Sequence, residues 1–159
     1  SPVWEERDRG LYEEEVYLKQ FQELDPQDAE DIEKVIKGSG QTIRKRPYAD
    51  TWVKYLKSKG YHVYILSNYS SYMLDHTKKE LTFRREMDGE VFSCYAKQLK
   101  PDAEIYQTIL NKYQLKPEEC VFIDDRPENC RGAQEQGIHT ICFKDFKQVT
   151  ADLEKLGVK

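Results

Sequence analysis

Cys120-Val121-Phe122-Ile123-Asp124-Asp125 is the stretch that decides the fold. Four apolar residues in a row, bounded by Glu119 and Asp124, are too few for a buried helix and suit a short strand. The run lacks an apolar–polar alternation, so both faces are covered, as in a parallel sheet between helical layers. It ends abruptly in two carboxylates. Ligands of an open parallel sheet bind at the carboxyl ends of its strands, so Asp124 and Asp125 stand where chemistry is expected.

The same pattern recurs on both sides. His62-Val63-Tyr64-Ile65-Leu66 reads as a strand ending in Ser67-Asn68. A short strand at residues 91–94 precedes Lys100-Pro101, and another occupies residues 138–143. Helical patterns fill the intervals at 49–59, 70–81, 103–113, 128–136 and 146–156, with Gly60 and Gly137 as stops. Strands alternating with helices at this spacing predict right-handed crossovers and an α/β, Rossmann-like, doubly wound parallel sheet over residues 47–159.

Residues 1–46 carry helical signals only. Leu11, Val16, Leu18, Phe21 and Leu24 recur at roughly helical spacing. Asp25-Pro26 reads as an N-cap followed by proline at the first helical position. Ile32, Val35 and Ile36 form a second stripe that Gly38 ends. The expectation is a helical hairpin with no chemistry of its own.

Composition narrows the function. At 159 residues, 38% hydrophobic and 34% charged, the chain is long enough to bury a core and is not of disordered type. A net charge of -4 argues against a nucleic-acid binder built on a broad basic surface. No apolar run reaches membrane-spanning length, and there is no signal-peptide core, so no membrane partner is expected. Cys94, Cys120, Cys130 and Cys142 include no CxxC pair, which argues against zinc. Three of the four fall in apolar runs and read as buried reduced thiols, pointing to a cytoplasmic compartment.

Ser67-Asn68, Lys100 and Asp124-Asp125 should therefore converge on one edge. Adjacent carboxylates repel unless a cation sits beside them. Magnesium takes a carboxylate or two and keeps several waters. A lysine, a hydroxyl and an amide can hold phosphate oxygens. Each group alone has a plainer reading, as a turn, a helix cap or a surface loop. Their joint order at successive strand ends favours a site.

The segments YILSN (residues 64–68), LKPDAEIY (99–106) and VFIDDRPENCRGAQEQGI (121–138) resemble the second, third and fourth motifs of the haloacid dehalogenase-like (HAD) superfamily. The resemblance is strongest to the branch with a helical cap inserted after the first motif, which includes glucose-1-phosphate phosphatase and the phosphatase domain of epoxide hydrolase. It implies a partial cap at residues 1–46, with Trp4 and Asp8-Arg9-Gly10 as its lead-in, and a core at 47–159. It implies that Ser67 and Asn68 contact a phosphoryl group and that Lys100 neutralises charge on the nucleophile and the phosphate. Asp125 would ligate Mg2+, with Asp124 supporting it through water or by pairing with Lys100; which aspartate ligates directly stays open. Asn129 would hold a metal-bound water or the loop. Tyr12, Tyr17 and Tyr48 could line a pocket, but core or surface packing is the preferred reading.

The family attacks phosphorus with the first aspartate of a DxD motif, at the end of a strand central to the sheet. No apolar strand followed by DxD occurs here. Asp25 and Asp28 belong to a helix start, Asp8 lies in a polar stretch, and Asp50 follows no strand. Three expectations compete. The 159 residues are a piece of a longer protein, or the strand comes from another chain or a swap in a homo-oligomer, or the flanking strands pair directly in an inactive protein. The first is preferred. The implied function is a magnesium-dependent phosphatase of a small phosphorylated metabolite, acting through an aspartyl-phosphate, with the given chain inactive alone. A 2-haloacid dehalogenase, a phosphomutase and a non-catalytic binding or assembly module are the rivals.

Overall fold

The computed structural model describes residues 2–158. Helices α1 (Pro2–Arg9), α2 (Glu14–Leu24) and α3 (Ala29–Gly38) come first, followed by α4 (Ala49–Ser58). The alternating part runs β1 (Tyr64–Ser67), α5 (Ser71–Thr77), β2 (Gly89–Phe92), the single turn α6 (Ser93–Ala96) and α7 (Ala103–Tyr113). It continues with β3 (Val121–Asp124), α8 (Pro127–Glu135), β4 (His139–Cys142) and α9 (Phe146–Lys155). No helix among the described residues is long and apolar enough to cross a membrane.

All strand pairing is parallel. β1 pairs with β2, from Tyr64 opposite Gly89 to Ser67 opposite Phe92. β3 pairs with β4, from Val121 opposite His139 to Asp124 opposite Cys142. These are two separate two-stranded sheets. β1 and β3 share no ladder among the described residues, so direct pairing of the flanking strands is not realised.

Side chains of successive strand residues point to opposite faces, and the two faces differ here. On one, Tyr64 and Leu66 of β1 and Phe122 of β3 pack on a common core of Ile105, Tyr106 and Ile109 from α7 and Ala133 from α8. On the other, Ile65 joins Leu74 and Phe92, while Val121 and Ile123 join Ile141, Val149 and Leu153. One core thus spans both sheets and the opposite side is split in two. Every residue of β1 and β3 is only half-buried, although both strands are nearly all apolar.

The largest departures from expectation are local. The strand expected at 91–94 lies at Gly89–Phe92, because Ser93 and Cys94 already turn into α6. The helix expected at 70–81 ends at Thr77; its N-cap is Ser70, whose hydroxyl accepts from the Met73 N–H. Asp25 makes no side-chain cap bond, and Pro26 opens a single tight turn before α3. The stripe expected to bury α2 does not do so. Leu11, Val16 and Leu24 are 49%, 40% and 64% exposed, and Val35 of α3 is 67% exposed. The N-terminal helices bury Ile36 of the expected second stripe, together with Tyr17 and, unexpectedly, Arg7.

Candidate active site

Lys100 joins the two sheets. Its side chain is 7% exposed, and its Nζ donates to the Leu66 carbonyl of β1 at 2.9 Å and to Asp124 Oδ2 at the end of β3 at 2.6 Å. The ammonium also lies 5.2 Å from the centre of the Phe122 ring. Its backbone is gripped by Asn68, whose Nδ2 donates to Lys100 O at 2.9 Å and whose Oδ1 accepts from Lys100 N at 2.8 Å. The Lys100–Pro101 peptide is cis. Helix α8 presses on this loop at Gly132, where a Cβ would lie 2.5 Å from the Pro101 carbonyl. Only glycine permits that approach.

The two aspartates diverge. Asp124 turns inward, its side chain 8% exposed. Besides Lys100, it accepts at Oδ1 from the Arg126 N–H and from Asn129 Nδ2, each at 2.9 Å. Asp125 is exposed, and its carboxylate makes no hydrogen bond or ion pair among the described residues. Asn129 is 3% exposed and its Oδ1 has no partner. The Tyr106 hydroxyl fixes the start of α8 by donating to the Asn129 carbonyl at 2.7 Å. Ser67 closes β1 on the same edge, half-buried, with no hydrogen bond from its hydroxyl among the described residues.

Five of the six expected site residues thus lie at the carboxyl ends of β1 and β3 or in the Lys100 loop between them, and Asn129 lies in the first turn of α8, which follows β3. The structure uses Asn68 on Lys100 and Asp124 on Lys100, Arg126 and Asn129. It leaves Ser67, Asp125 and the Asn129 oxygen without partners. That donor set fits a hard cation in part. One free carboxylate and one orphaned amide oxygen are of the right type, and no group of three acidic, histidine or cysteine ligands occurs among the described residues.

The family model for haloacid dehalogenase-like hydrolases matches residues 2–137. The chain belongs to that family. It is 27% identical over 159 residues to flavin mononucleotide hydrolase 1 of Arabidopsis thaliana, an alignment covering 98% of the chain and 62% of that protein. It is 30% identical over 107 residues to bifunctional epoxide hydrolase 2 of Rattus norvegicus, covering 64% of the chain and 19% of the relative. The chain therefore spans less than two thirds of either relative. Sesquiterpene phosphatase astK of Aspergillus oryzae is 24% identical over 157 residues, covering 98% of the chain and 80% of that enzyme. A HAD family enzyme from Bacteroides thetaiotaomicron, solved with magnesium and inorganic phosphate, shares the fold. The TM-score is 0.76 at 22% identity, over 94% of this chain and 78% of that one.

Within this HAD-like hydrolase the structure adds residues that the sequence did not single out. The end of α1 docks on α6. Ser93, fully buried, donates from Oγ to the Asp8 carbonyl and accepts from the Tyr69 N–H at 2.8 Å. Gly10, at φ +69°, lies against Cys94, where a Cβ would meet backbone at 3.0 Å. Burial pushes the Asp8 carboxyl up to about 6, against the opposing pull of the Arg7 and Arg126 guanidiniums. A charge in a polar stretch gave no sign of that burial. Burial likewise pushes the Cys130 thiol up to about 11. Tyr17 is core, Tyr12 is exposed, and Tyr48 lines a groove of about 440 Å³ between α4 and α9 with Trp52 and Phe146. That groove shares no residue with the Lys100 cluster.

Proposed function

We propose that the chain is the greater part of a magnesium-dependent phosphomonoester hydrolase acting on a small phosphorylated metabolite. The observation that carries this reading is the Lys100 ammonium locked between Leu66 and Asp124, with Asp125 free at the same edge. Phosphoryl transfer is mostly positioning and charge stabilisation, and these residues supply both. Lys100 has a third N–H to offer an anion, and Ser67 adds a free hydroxyl. Asn68 positions Lys100, and Asp124 holds Lys100 and the Asp125 loop at once. Asp125 and the Asn129 oxygen are the groups that would hold magnesium, directly or through water. The bound ion would offset negative charge on the phosphoryl oxygens.

In this reading the nucleophile is an aspartate from outside these 159 residues, on a strand that would enter between β1 and β3. It comes from a preceding segment of the same protein or from a partner chain. Residues 1–46 serve as part of a cap over the core at 47–159, shielding an aspartyl-phosphate from bulk water. The names of the flavin mononucleotide hydrolase and the sesquiterpene phosphatase support a phosphorylated substrate. (S)-2-haloacid dehalogenase 4A of Burkholderia cepacia, 33% identical over 95 residues, keeps the halide reading in view. The paired Asp124 and Asp125 argue against it, because that chemistry needs no magnesium. The half-buried β1 and β3 favour a second reading, a binding or assembly module.

The test compares p-nitrophenyl phosphate turnover, with magnesium, by the 159-residue chain and by a chain extended with an apolar strand ending in DxD. Turnover is expected only in the extended chain. Turnover by the 159 residues alone would overturn the external nucleophile, and an inert extended chain would favour the binding module.

A further inference from the structure

Two thiols lie directly beneath the loop of Asp124 and Asp125. Cys142 closes β4 and stands opposite Asp124 in the ladder. Cys130 lies in α8, the helix that leaves the loop. Cys130 Sγ is 3.5 Å from the Asp124 carbonyl, and Cys142 Sγ is 3.8 Å from the Asp125 carbonyl. The carbonyls belong to consecutive residues, and the Cys142 side chain is among the neighbours that push the Cys130 thiol up. Cys130 is 6% exposed, whereas Cys142 is half-buried and open to a small oxidant. Cys94 packs in the core beneath α5, and Cys120 bonds the Lys116 carbonyl at 3.2 Å. Neither belongs to this pair.

We propose that Cys130 and Cys142 are a reversible oxidation site, closed to a disulfide by hydroperoxides, and that closure releases the two sulfur contacts under the Asp124-Asp125 loop. The Cys142 sulfur attacks the O–O bond of hydrogen peroxide. This forms Cys142–SOH and releases one water. The Cys130 sulfur then attacks the Cys142 sulfur, an S–S bond forms, and the hydroxyl leaves as a second water with the Cys130 proton. Two electrons pass from the thiol pair to the peroxide. A disulfide has no S–H to donate, so both carbonyls lose their sulfur donors and the loop loosens.

The test treats the 159-residue protein with hydrogen peroxide, denatures it in N-ethylmaleimide and counts labelled thiols by mass. The count should fall from four to two, with a Cys130–Cys142 linked peptide that dithiothreitol reverses. Four remaining thiols, a bridge elsewhere, or sulfinate at Cys142 would overturn the site. Cys142→Ser should abolish the link, and Cys130→Ser should leave a sulfenic acid that dimedone captures. Hydrogen exchange over residues 124–129 should quicken about tenfold on oxidation, and not in Cys142→Ser. A link with unchanged exchange would refute the coupling to the loop. Neither readout needs magnesium or turnover, so failure here is distinct from failure of the phosphatase reading.

Discussion

Replacing Lys100 by Met keeps most of the side-chain volume and removes the ammonium that joins the two sheets. Two bonds go with it, to Leu66 O at 2.9 Å and to Asp124 Oδ2 at 2.6 Å, at a site where both side chains are under a tenth exposed. Deleting one partner of a buried pair costs about 3–5 kcal/mol, because the other charge stays behind uncompensated. Asp124 keeps two donors, Arg126 N and Asn129 Nδ2, so the lower end, about 3 kcal/mol, is expected. For a domain of this size that lowers Tm by about 6–12 °C. Asp124→Asn in the same background should recover about half or more of the loss, a coupling typical of contacting residues. The assay is thermal and urea unfolding followed by circular dichroism on the four members of the cycle. Equal losses from Lys100→Met with Asp124 present and with Asp124→Asn would show that the pair is not coupled and would refute the argument.

Two further outcomes follow from other parts of the structure. Asp8 is pushed from 3.8 up to about 6 by burial, so between these values the folded state holds a proton that the unfolded chain has released, and stability falls as pH rises through that window. Asp8→Asn should therefore match the wild type near pH 4 and exceed it at pH 7.5 by about 1–3 kcal/mol, discounted because Asp8 is half-buried; a constant offset in Tm across pH would refute the assignment. Gly132→Ala brings a methyl to 2.5 Å from the Pro101 carbonyl, so overpacking should destabilise the protein by about 1–3 kcal/mol and shift the Lys100 amide resonance in NMR. A variant as stable as the parent, with that resonance unmoved, would show that α8 does not press on the loop.

The contrast between the two halves of the chain shows what a sequence reveals. Helix α7 matches its expected span, Ala103–Tyr113, because its apolar face meets the core at every turn, with Ile105, Tyr106 and Ile109 buried. Helix α2 fails the same reasoning. Its apolar residues lie partly in solvent, and its buried contact is Tyr17, whose hydroxyl donates to Glu6 O at 2.9 Å and accepts from Tyr12 N at 2.8 Å. Arg7 is harder still. It is 1% exposed because Glu14 takes its guanidinium at 2.6 Å and the rings of Trp4 and Tyr72 lie 5.1 and 5.5 Å away. Periodicity cannot announce a burial that depends on partners gathered from three helices.

The site divides along the same line. Which residues meet was legible, because strand ends of a parallel sheet converge whatever lies between them. What each residue does was less so. Ser67-Asn68 reads as a pair of like polar groups, yet Asn68 turns both ends of its amide to the backbone of Lys100, 32 residues away, while Ser67 is left free. Asp124-Asp125 reads as two equivalent carboxylates, yet one is tied by three donors and the other by none. The strand pleat alone would set neighbours to opposite faces. Lys100 and the turn into α8 then decide which neighbour is captured. The same lysine fastens β1 to β3 where no ladder does, so the group best placed to meet an anion is also the one that holds the two sheets in register. Any ligand that competes for the Lys100 ammonium must therefore act on the seam between the sheets as well as on the site.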